Sequence, residues 1–393
     1  MNANSLRVAL IAGGLSQGGA EKQLVYMARA LKQRGADVRC YCLTRGEFYE
    51  EVLQRLGIHV MWIGRFAAPA VRLACLARLL ASFRPQVVHA GHFFSNLYAA
   101  FGARACGGVS IGAIRNDTVF ELRENGRWGR WLLRLPTILI ANSNLGCQNA
   151  RTHGRPLEDI IVLPNVIDLA EFDAASTDLT LRTDASPLVV AVGRLVAAKR
   201  FDRFLAAMAR VGASVPGVRV VIIGEGPERA RLEAETERLG LGNRVRFLGL
   251  RRDVPALLRQ ADLFVLSSDH EGFPNVLLEA MAAGLAVVST PAGDARSVVV
   301  SGRTGYIVAP NEQSLAERIG FLLASRDERL DMGRAGRARV EKMYRETALA
   351  DRLLAAYRFA ARPRARRQVP PHLVFMPSTA EPVPSPEVQH GRP

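Results

Sequence analysis

The sequence predicts an α/β protein made of two doubly wound parallel-sheet domains that face each other, with C-terminal helices and a disordered tail. Short β-branched runs alternate with amphipathic stretches along most of the chain. A polar interval interrupts that alternation once, after which it restarts. At roughly 100–200 residues per domain, 393 residues are enough for two full cores.

In the first domain, residues 1–168, segments 7–12, 37–42, 59–63, 86–90, 110–114, 138–141 and 160–163 read as strands. They are continuously apolar, as strands buried on both faces are. Segments 20–34, 47–56, 69–83, 94–106 and 144–152 between them carry helical periodicity. Residues 169–186, rich in Asp, Thr and Ser, read as a linker. The second domain, 187–343, repeats the pattern with strands at 188–192, 218–223, 245–248, 263–266, 286–289 and 305–308. Its helices start near Phe201, Glu228, Val254, Asn275 and Ser314. Helical stretches 328–343 and 345–359 follow with no strand to feed, and the segment 344–361 is expected to cross back to the first domain. Residues 362–393, basic at first and then Pro-rich with few aromatics, are expected to be disordered.

Composition narrows the function classes. Five cysteines without a C-x-x-C pair exclude a zinc ribbon and a thioredoxin motif, and their low density argues for a reducing compartment. No run reaches the ~18 apolar residues of a membrane span, and the apolar run 8–12 is too short for a signal-peptide core. A cytoplasmic location is expected, extending to the cytoplasmic face of an inner membrane. The net charge of +15 comes from 52 basic against 37 acidic residues, and only Lys22, Lys32, Lys199 and Lys342 are lysines. Residues 1–168 hold 20 basic and 11 acidic side chains. Such a field favours nucleic acid, an anionic bilayer or phosphorylated substrates; an Arg-rich surface without a partner reads the same way.

Ligands of open α/β sheets bind outside the carboxyl ends of the strands, so loops there hold the candidates. Gly13-Gly14 and Gly18-Gly19-Ala20-Glu21 lie between the first strand and its helix. Glycines there let a backbone approach an anion, or simply make a tight turn, and their spacing is not the G-x-G-x-x-G dinucleotide fingerprint. His89 and His92 bracket the end of the fourth strand; alternation points His89 into packing and His92 into the cleft. Arg194 and Lys199 share one strand–helix loop, a charge pair suited to a diphosphate. Glu271-Gly272-Phe273-Pro274-Asn275 opens a helix that carries Glu279 among Leu277, Leu278, Ala280 and Met281. A carboxylate in that setting needs a hydrogen-bonding partner, and a ribose diol would serve. Free N–H groups near 273–276 would face the cleft.

Together these residues resemble the retaining glycosyltransferases of family 4, whose GT-B architecture has two facing Rossmann-like domains. The resemblance runs through about Phe359. Its most specific element is EGFPNVLLEAMAAGLAVV, an E-x7-E pattern with Glu271 and Glu279 as its two acids. Gly18-Gly19-Ala20-Glu21, Pro164-Asn165-Val166-Ile167-Asp168, Gly193-Arg194-Leu195 with Lys199, and Gly224-Glu225-Gly226-Pro227 support it.

The resemblance implies that Arg194 and Lys199 hold the donor diphosphate, Glu279 the ribose and Glu271 the hydroxyls of the transferred sugar. Gly272, Phe273, Pro274 and Asn275 would add contacts near sugar and phosphate, and Gly18-Gly19 would close on the phosphates. His92 resembles the first-domain histidine near the reacting sugar, so the implied catalytic set is His92, Arg194, Lys199 and Glu271. The G-G-x-x-E element departs here to Ala292-Gly293-Asp294-Ala295-Arg296-Ser297, without its Glu.

No D-x-D occurs, so no metal or other cofactor is expected. The implied reaction moves a hexose or N-acetylhexosamine from a nucleotide diphosphate sugar, with UDP expected, to a glycan or polyprenyl-diphosphate-linked acceptor in polysaccharide assembly. Arg115, Arg123, Arg127, Arg130 and Arg134, interleaved with Phe120, Trp128, Trp131, Leu132 and Leu133, suggest an anionic inner-membrane surface as a second partner; an amphipathic helix packed on the sheet reads equally well. Nucleic acid is not expected. The rival readings are a hydrolysing sugar-nucleotide epimerase, which should lack this E-x7-E wording, and a non-enzymatic membrane or nucleic-acid binder, which would leave Glu271, Glu279 and His92 idle.

Overall fold

The computed structural model describes residues 6–65, 68–116, 118–182 and 184–367. The first domain contains β1 (Arg7–Ala12), α1 (Gly19–Gln33), β2 (Asp37–Cys42), α2 (Phe48–Arg55), β3 (His59–Trp62), α3 (Pro69–Phe83), β4 (Val87–Ala90), α4 (Asn96–Cys106) and β5 (Val109–Ile114). It continues through α5 (Thr118–Glu124), α6 (Gly129–Arg134), β6 (Ile138–Ala141), α7 (Asn144–Thr152) and β7 (Ile160–Val162). The second comprises α8 (Leu169–Ala174), β8 (Leu188–Val192), α9 (Phe201–Ser214), β9 (Arg219–Ile223), α10 (Arg229–Arg238), β10 (Val245–Phe247), α11 (Val254–Leu258) and β11 (Leu263–Leu266). Then come α12 (Asn275–Ala282), β12 (Ala286–Ser289), α13 (Ala295–Val298), β13 (Gly305–Ile307), α14 (Glu312–Ala324), α15 (Arg326–Met343) and α16 (Leu349–Ala360).

Both sheets are parallel, in the orders β3-β2-β1-β4-β5-β6-β7 and β10-β9-β8-β11-β12-β13. Leu10 of β1 pairs with Cys40 on one side and His89 on the other, so the order reverses between β1 and β4. The same reversal falls between β8 and β11. These are the points where loops diverge and leave a crevice at the strands' carboxyl ends. Helices cover both faces of each sheet, which is why the strands are buried without alternation.

Two expectations are corrected. The interval 169–186 is not a free linker: Asp168 caps α8 by accepting the Glu171 N–H at 3.0 Å, and Leu169, Phe172 and Leu181 pack into the second core. Three apolar anchors among polar neighbours suffice to hold the segment, and bulk polarity hid them. Residues 362–367, expected to begin a disordered tail, include a 3-10 turn at Arg364–Arg366, and Arg367 donates from Nη1 to Asp159 Oδ1 at 3.2 Å. The buried Asp159 carboxylate gives this basic run a counter-charge. The rest of the expected tail, 368–393, lies outside the described residues.

The last helix joins the first core. Leu349, Leu353, Tyr357 and Phe359 of α16 pack with α1, α2 and the strands of the first sheet. Tyr357 Oη lies 2.8 Å from His89 Nδ1 beneath β4. At the junction Ile167 N donates to the Tyr344 carbonyl at 2.8 Å, and Arg29 bonds both Asp168 and Glu346. Among the described residues, no helix is long and apolar enough to cross a membrane.

Candidate active site between the domains

On the second domain, β8 runs into Gly193-Arg194-Leu195. The Gly193 N–H donates to the Ile223 carbonyl at 3.0 Å, and that of Leu195 to Glu225 at 2.9 Å. Gly224 permits this approach: at its φ of 142° a Cβ would fall 2.0 Å from the Gly193 oxygen. The loop ends in a 3-10 turn, Ala197–Lys199, which aims the Lys199 ammonium at Glu271, with Nζ 2.5 Å from Oε1. Ser268 Oγ donates to the same oxygen at 2.7 Å. Arg194 is exposed, and its guanidinium has no protein partner among the described residues.

After Glu271 the chain passes between two backbones. A Cβ on Gly272 would lie 2.4 Å from the Arg115 carbonyl of the first domain, and the Gly272 carbonyl accepts the Asp294 N–H at 3.1 Å. Phe273 is buried against Tyr344, ring centres 5.8 Å apart. Asn275 begins α12 directly after Pro274, and its Oδ1 accepts from Asn165 Nδ2 at 2.8 Å. One turn on, Glu279 lies 3.5 Å from Lys22 of α1. Burial pulls the Lys22 pKa down, yet Glu279, Tyr49 and Glu171 together hold it above its ordinary value.

On the first domain, Gly18 precedes α1 in extended conformation, and Gly19 faces Asn275 so closely that a Cβ would meet its Nδ2 at 2.4 Å. His92 accepts the Gly13 N–H on Nδ1 at 3.2 Å, which leaves Nε2–H to donate to Glu21 Oε1 at 3.3 Å. Its ring stacks on Phe94, and its backbone is held by two bonds with Ser95 Oγ. His89 is fully buried; burial, reinforced by Arg115, pushes its pKa down to about 3.

The sequence-predicted residues therefore fall into clusters. Gly19, Asn275 and Glu279 line one interdomain crevice with Lys22, Tyr26 and Leu278. Lys199 and Glu271 form a second cluster, His92 with Glu21 and Phe94 a third, and Arg194 stands exposed. Lys22 and Glu21 were not singled out for chemistry. Their place in the first turn of α1, directly after Gly18-Gly19, was the available signal.

The basic aromatic stretch needs two corrections. Arg115 does not reach outward: its Nε is buried with no hydrogen-bond partner among the described residues, and Nη2 rests 3.6 Å from Met27 Sδ. Desolvation lowers its pKa to about 10. Leu132 and Leu133 pack inward with Phe93, Ile114 and Leu139, because α6 lies against the sheet. Trp128 and Trp131 do point outward, 72% and 64% exposed, and Phe120 is 45% exposed. The departure at Asp294 also gains a location: its carboxylate accepts the N–H groups of Asn144 and Leu145 at 2.7 and 3.0 Å, across the domain junction.

Residues 17–171 match the family model "Glycosyltransferase Family 4", and residues 179–339 match "Glycosyl transferases group 1". The lipopolysaccharide core biosynthesis glycosyltransferase LpsE of Rhizobium meliloti is 32% identical over 170 residues, 43% of this chain and 49% of LpsE. The Vi polysaccharide biosynthesis protein VipC/TviE of Salmonella typhi is 37% identical over 125 residues, 32% of this chain and 22% of that protein. The chain thus aligns with half or less of the length of these curated relatives. Among solved structures, Anabaena HepE, crystallised with UDP-glucose, superposes with a TM-score of 0.79 at 21% identity, covering 89% of this chain and 99% of its own. With one glycosyltransferase model on each of two facing parallel-sheet domains, the chain belongs to glycosyltransferase family 4 and has the GT-B fold.

Proposed function

We propose that the protein is a retaining glycosyltransferase that moves a hexose or N-acetylhexosamine from a nucleotide diphosphate sugar to a glycan or polyprenyl-diphosphate-linked acceptor in polysaccharide assembly. The observation that carries this reading is the Lys199–Glu271 pair at 2.5 Å, set in the same domain as Glu279 and Asn275, which face α1 across the junction. HepE, which shares the fold, has been crystallised with UDP and with UDP-glucose, and LpsE is named for lipopolysaccharide core biosynthesis. These names favour UDP and a glycan acceptor.

In this reading the donor diphosphate lies on the Gly193–Lys199 loop. Arg194 forks two phosphate oxygens, and Lys199 turns part of its charge from Glu271 to the leaving group. As the nucleotide departs, the anomeric carbon gains oxocarbenium character and is attacked on the face the donor leaves, so the configuration is kept. Fixed positive charge beside the leaving diphosphate is the largest catalytic contribution, and it takes the place of a metal ion. Glu279 receives the ribose, with the Lys22 ammonium 3.5 Å away across the crevice. Glu271 orients the sugar hydroxyls, and His92, aligned by Gly13 and Glu21, stands on the acceptor side.

The acceptor's lipid would be met by the exposed face of α5 and α6. Trp128 and Trp131 have the amphipathic rings that settle at bilayer interfaces, and Arg123, Arg127, Arg130 and Arg134 flank them. Sedimentation with phosphatidylglycerol vesicles, reduced in W128S/W131S and absent with phosphatidylcholine, is expected; failure of the intact protein to sediment would sink this part of the reading.

The donor site is tested by thermal shift with UDP-glucose, UDP-N-acetylglucosamine and GDP-mannose in EDTA. One nucleotide sugar should raise the Tm of the intact protein and leave Glu279→Ala and Lys199→Ala unmoved. If none stabilises the intact protein, the donor assignment is wrong.

A further inference from the structure

We propose that Asp294 is a positioning residue that pins the two domains in the closed arrangement and steadies the Glu271–Gly272 peptide from behind. The inference rests on the glycosyltransferase reading for its effect on the reaction, but the pin itself is a property of the fold.

α7 belongs to the first domain, and its first turn leaves N–H groups without intrahelical partners. Ser143 satisfies one of them, accepting the Gly146 N–H on Oγ at 3.0 Å. The next two donors, Asn144 and Leu145, are taken by the two carboxylate oxygens of Asp294, which comes from the second domain. Asp294 is 4% exposed, so this carboxylate has exchanged water for the helix end. A negative charge at a helix N-terminus has the favourable sign for the helix dipole.

Asp294 also reaches the candidate site. Its N–H donates to the Gly272 carbonyl at 3.1 Å, and Gly293 before it has a φ of 54°. At Gly293 a Cβ would lie 2.4 Å from the Gly272 oxygen and 2.5 Å from that of Glu271. The Gly293–Asp294 turn therefore lies flat against the peptide that carries Glu271, while the Arg115 carbonyl of the first domain lies against Gly272. One residue thus bonds the loop of the second domain through its backbone and a helix of the first through its side chain. If the domains part, the second set of bonds is lost and the clamp on Gly272 loses its first-domain wall.

Removing the carboxylate shifts the balance towards opening. In Asp294→Asn the amide oxygen still accepts one of the two N–H groups, but the amide NH2 cannot accept the other, so one N–H is left buried without an acceptor in the closed form, whereas in the open form water satisfies it. On the other side of the junction, Asn144→Pro deletes one donor. Asn144 is the first residue of α7, where proline is tolerated, and Ser143 before it is extended (φ −142°, ψ 151°), as a residue preceding proline requires.

The experiment uses the full chain and the variants D294N, N144P and D294N/N144P, each first checked for a cooperative thermal transition. Small-angle X-ray scattering without donor should give a larger radius of gyration for each single variant, with the double variant no larger than the greater single. The exposed-carboxylate control E341Q should match the parent. With a donor that the parent uses, KM should rise about tenfold while kcat changes much less, because only the closed fraction binds. An unchanged radius in both single variants, or additive increments in the double, would overturn the pin. A changed radius in a protein that binds no nucleotide sugar would uphold the pin and remove the glycosyltransferase reading instead.

Discussion

Lys199 and Glu271 neutralise each other within 2.5 Å, and the Glu271 side chain is only 10% exposed. Replacing Lys199 by Ala leaves that carboxylate with Ser268 alone. A loss of about 1–3 kcal/mol in stability is expected, with a lower urea midpoint, and Lys199→Ala/Glu271→Gln should recover much of it. His89 gives a pH dependence with a definite sign. Its folded pKa is depressed to about 3 from the ordinary 6.5, so the unfolded chain takes up the proton first. The stability associated with neutral His89 is complete above pH 6.5 and declines as pH falls towards 3, at most about 1.4 kcal/mol per pH unit. His89→Gln, which can still bond Tyr357, should flatten the fall of Tm across that window; an unchanged slope would mean that other groups set it.

At the scale of elements, α16 shows how far a helix can lie from its sequence neighbours. Leu353 is fully buried in the first core, and Leu353→Ala should lower stability by about 2–5 kcal/mol in denaturant unfolding. Its position beside His89 was anticipated only as a crossing back, because periodicity gives a helix a face and not a destination. α15 is seated by a backbone contact instead. A Cβ on Gly333 would stand 1.9 Å from the Gly284 carbonyl, so Gly333→Ala must push α15 away from β12 and lower the Tm. α6 and the 3-10 turn before it, Gly126–Trp128, divide their residues between two environments: Leu132 and Leu133 go to the core, while Trp128 and Trp131 face water. The sequence left both an interfacial stripe and a helix packed on the sheet open, because charge and aromatic content do not record which side of a short helix meets the sheet.

For the whole molecule, charge and shape act together. Exposed large aromatics concentrate on the first domain, among them Trp62, Phe94, Phe101, Trp128 and Trp131, and that domain also carries most of the excess positive charge. Arg45 and Arg104 lie over Trp62 and Phe101. Vesicle binding through Trp128, Trp131 and their flanking arginines should weaken as salt rises from 0.1 M, where the screening length is about 10 Å, towards 1 M, where it is about 3 Å. Binding that is indifferent to salt would point to ring insertion without the arginines. Between the domains, the contacts Gln17–Arg251, Lys22–Glu279, Asn165–Asn275 and Asp294–α7 are polar. A polar junction can part at low cost, which suits a cleft that must admit substrate.

The alternation of apolar runs and amphipathic stretches was enough, by itself, to determine two parallel-sheet domains, because strands buried on both faces must be continuously apolar and their crossovers must be helices. It also drew attention to the loops at the strands' carboxyl ends, where Gly, Arg, Lys and Glu stand at the positions in which open α/β sheets bind ligands. Tertiary structure alone decided which of these residues meet. Lys22 reaches Glu279, Asp294 caps α7, and Arg115 turns inward from a stretch whose other arginines face outward. The first two outcomes depend on the rotation of one domain against the other and the third on long-range packing of Arg115 against α1 within the first domain, and local sequence, whose periodicity extends over a few turns of chain, carries no record of either.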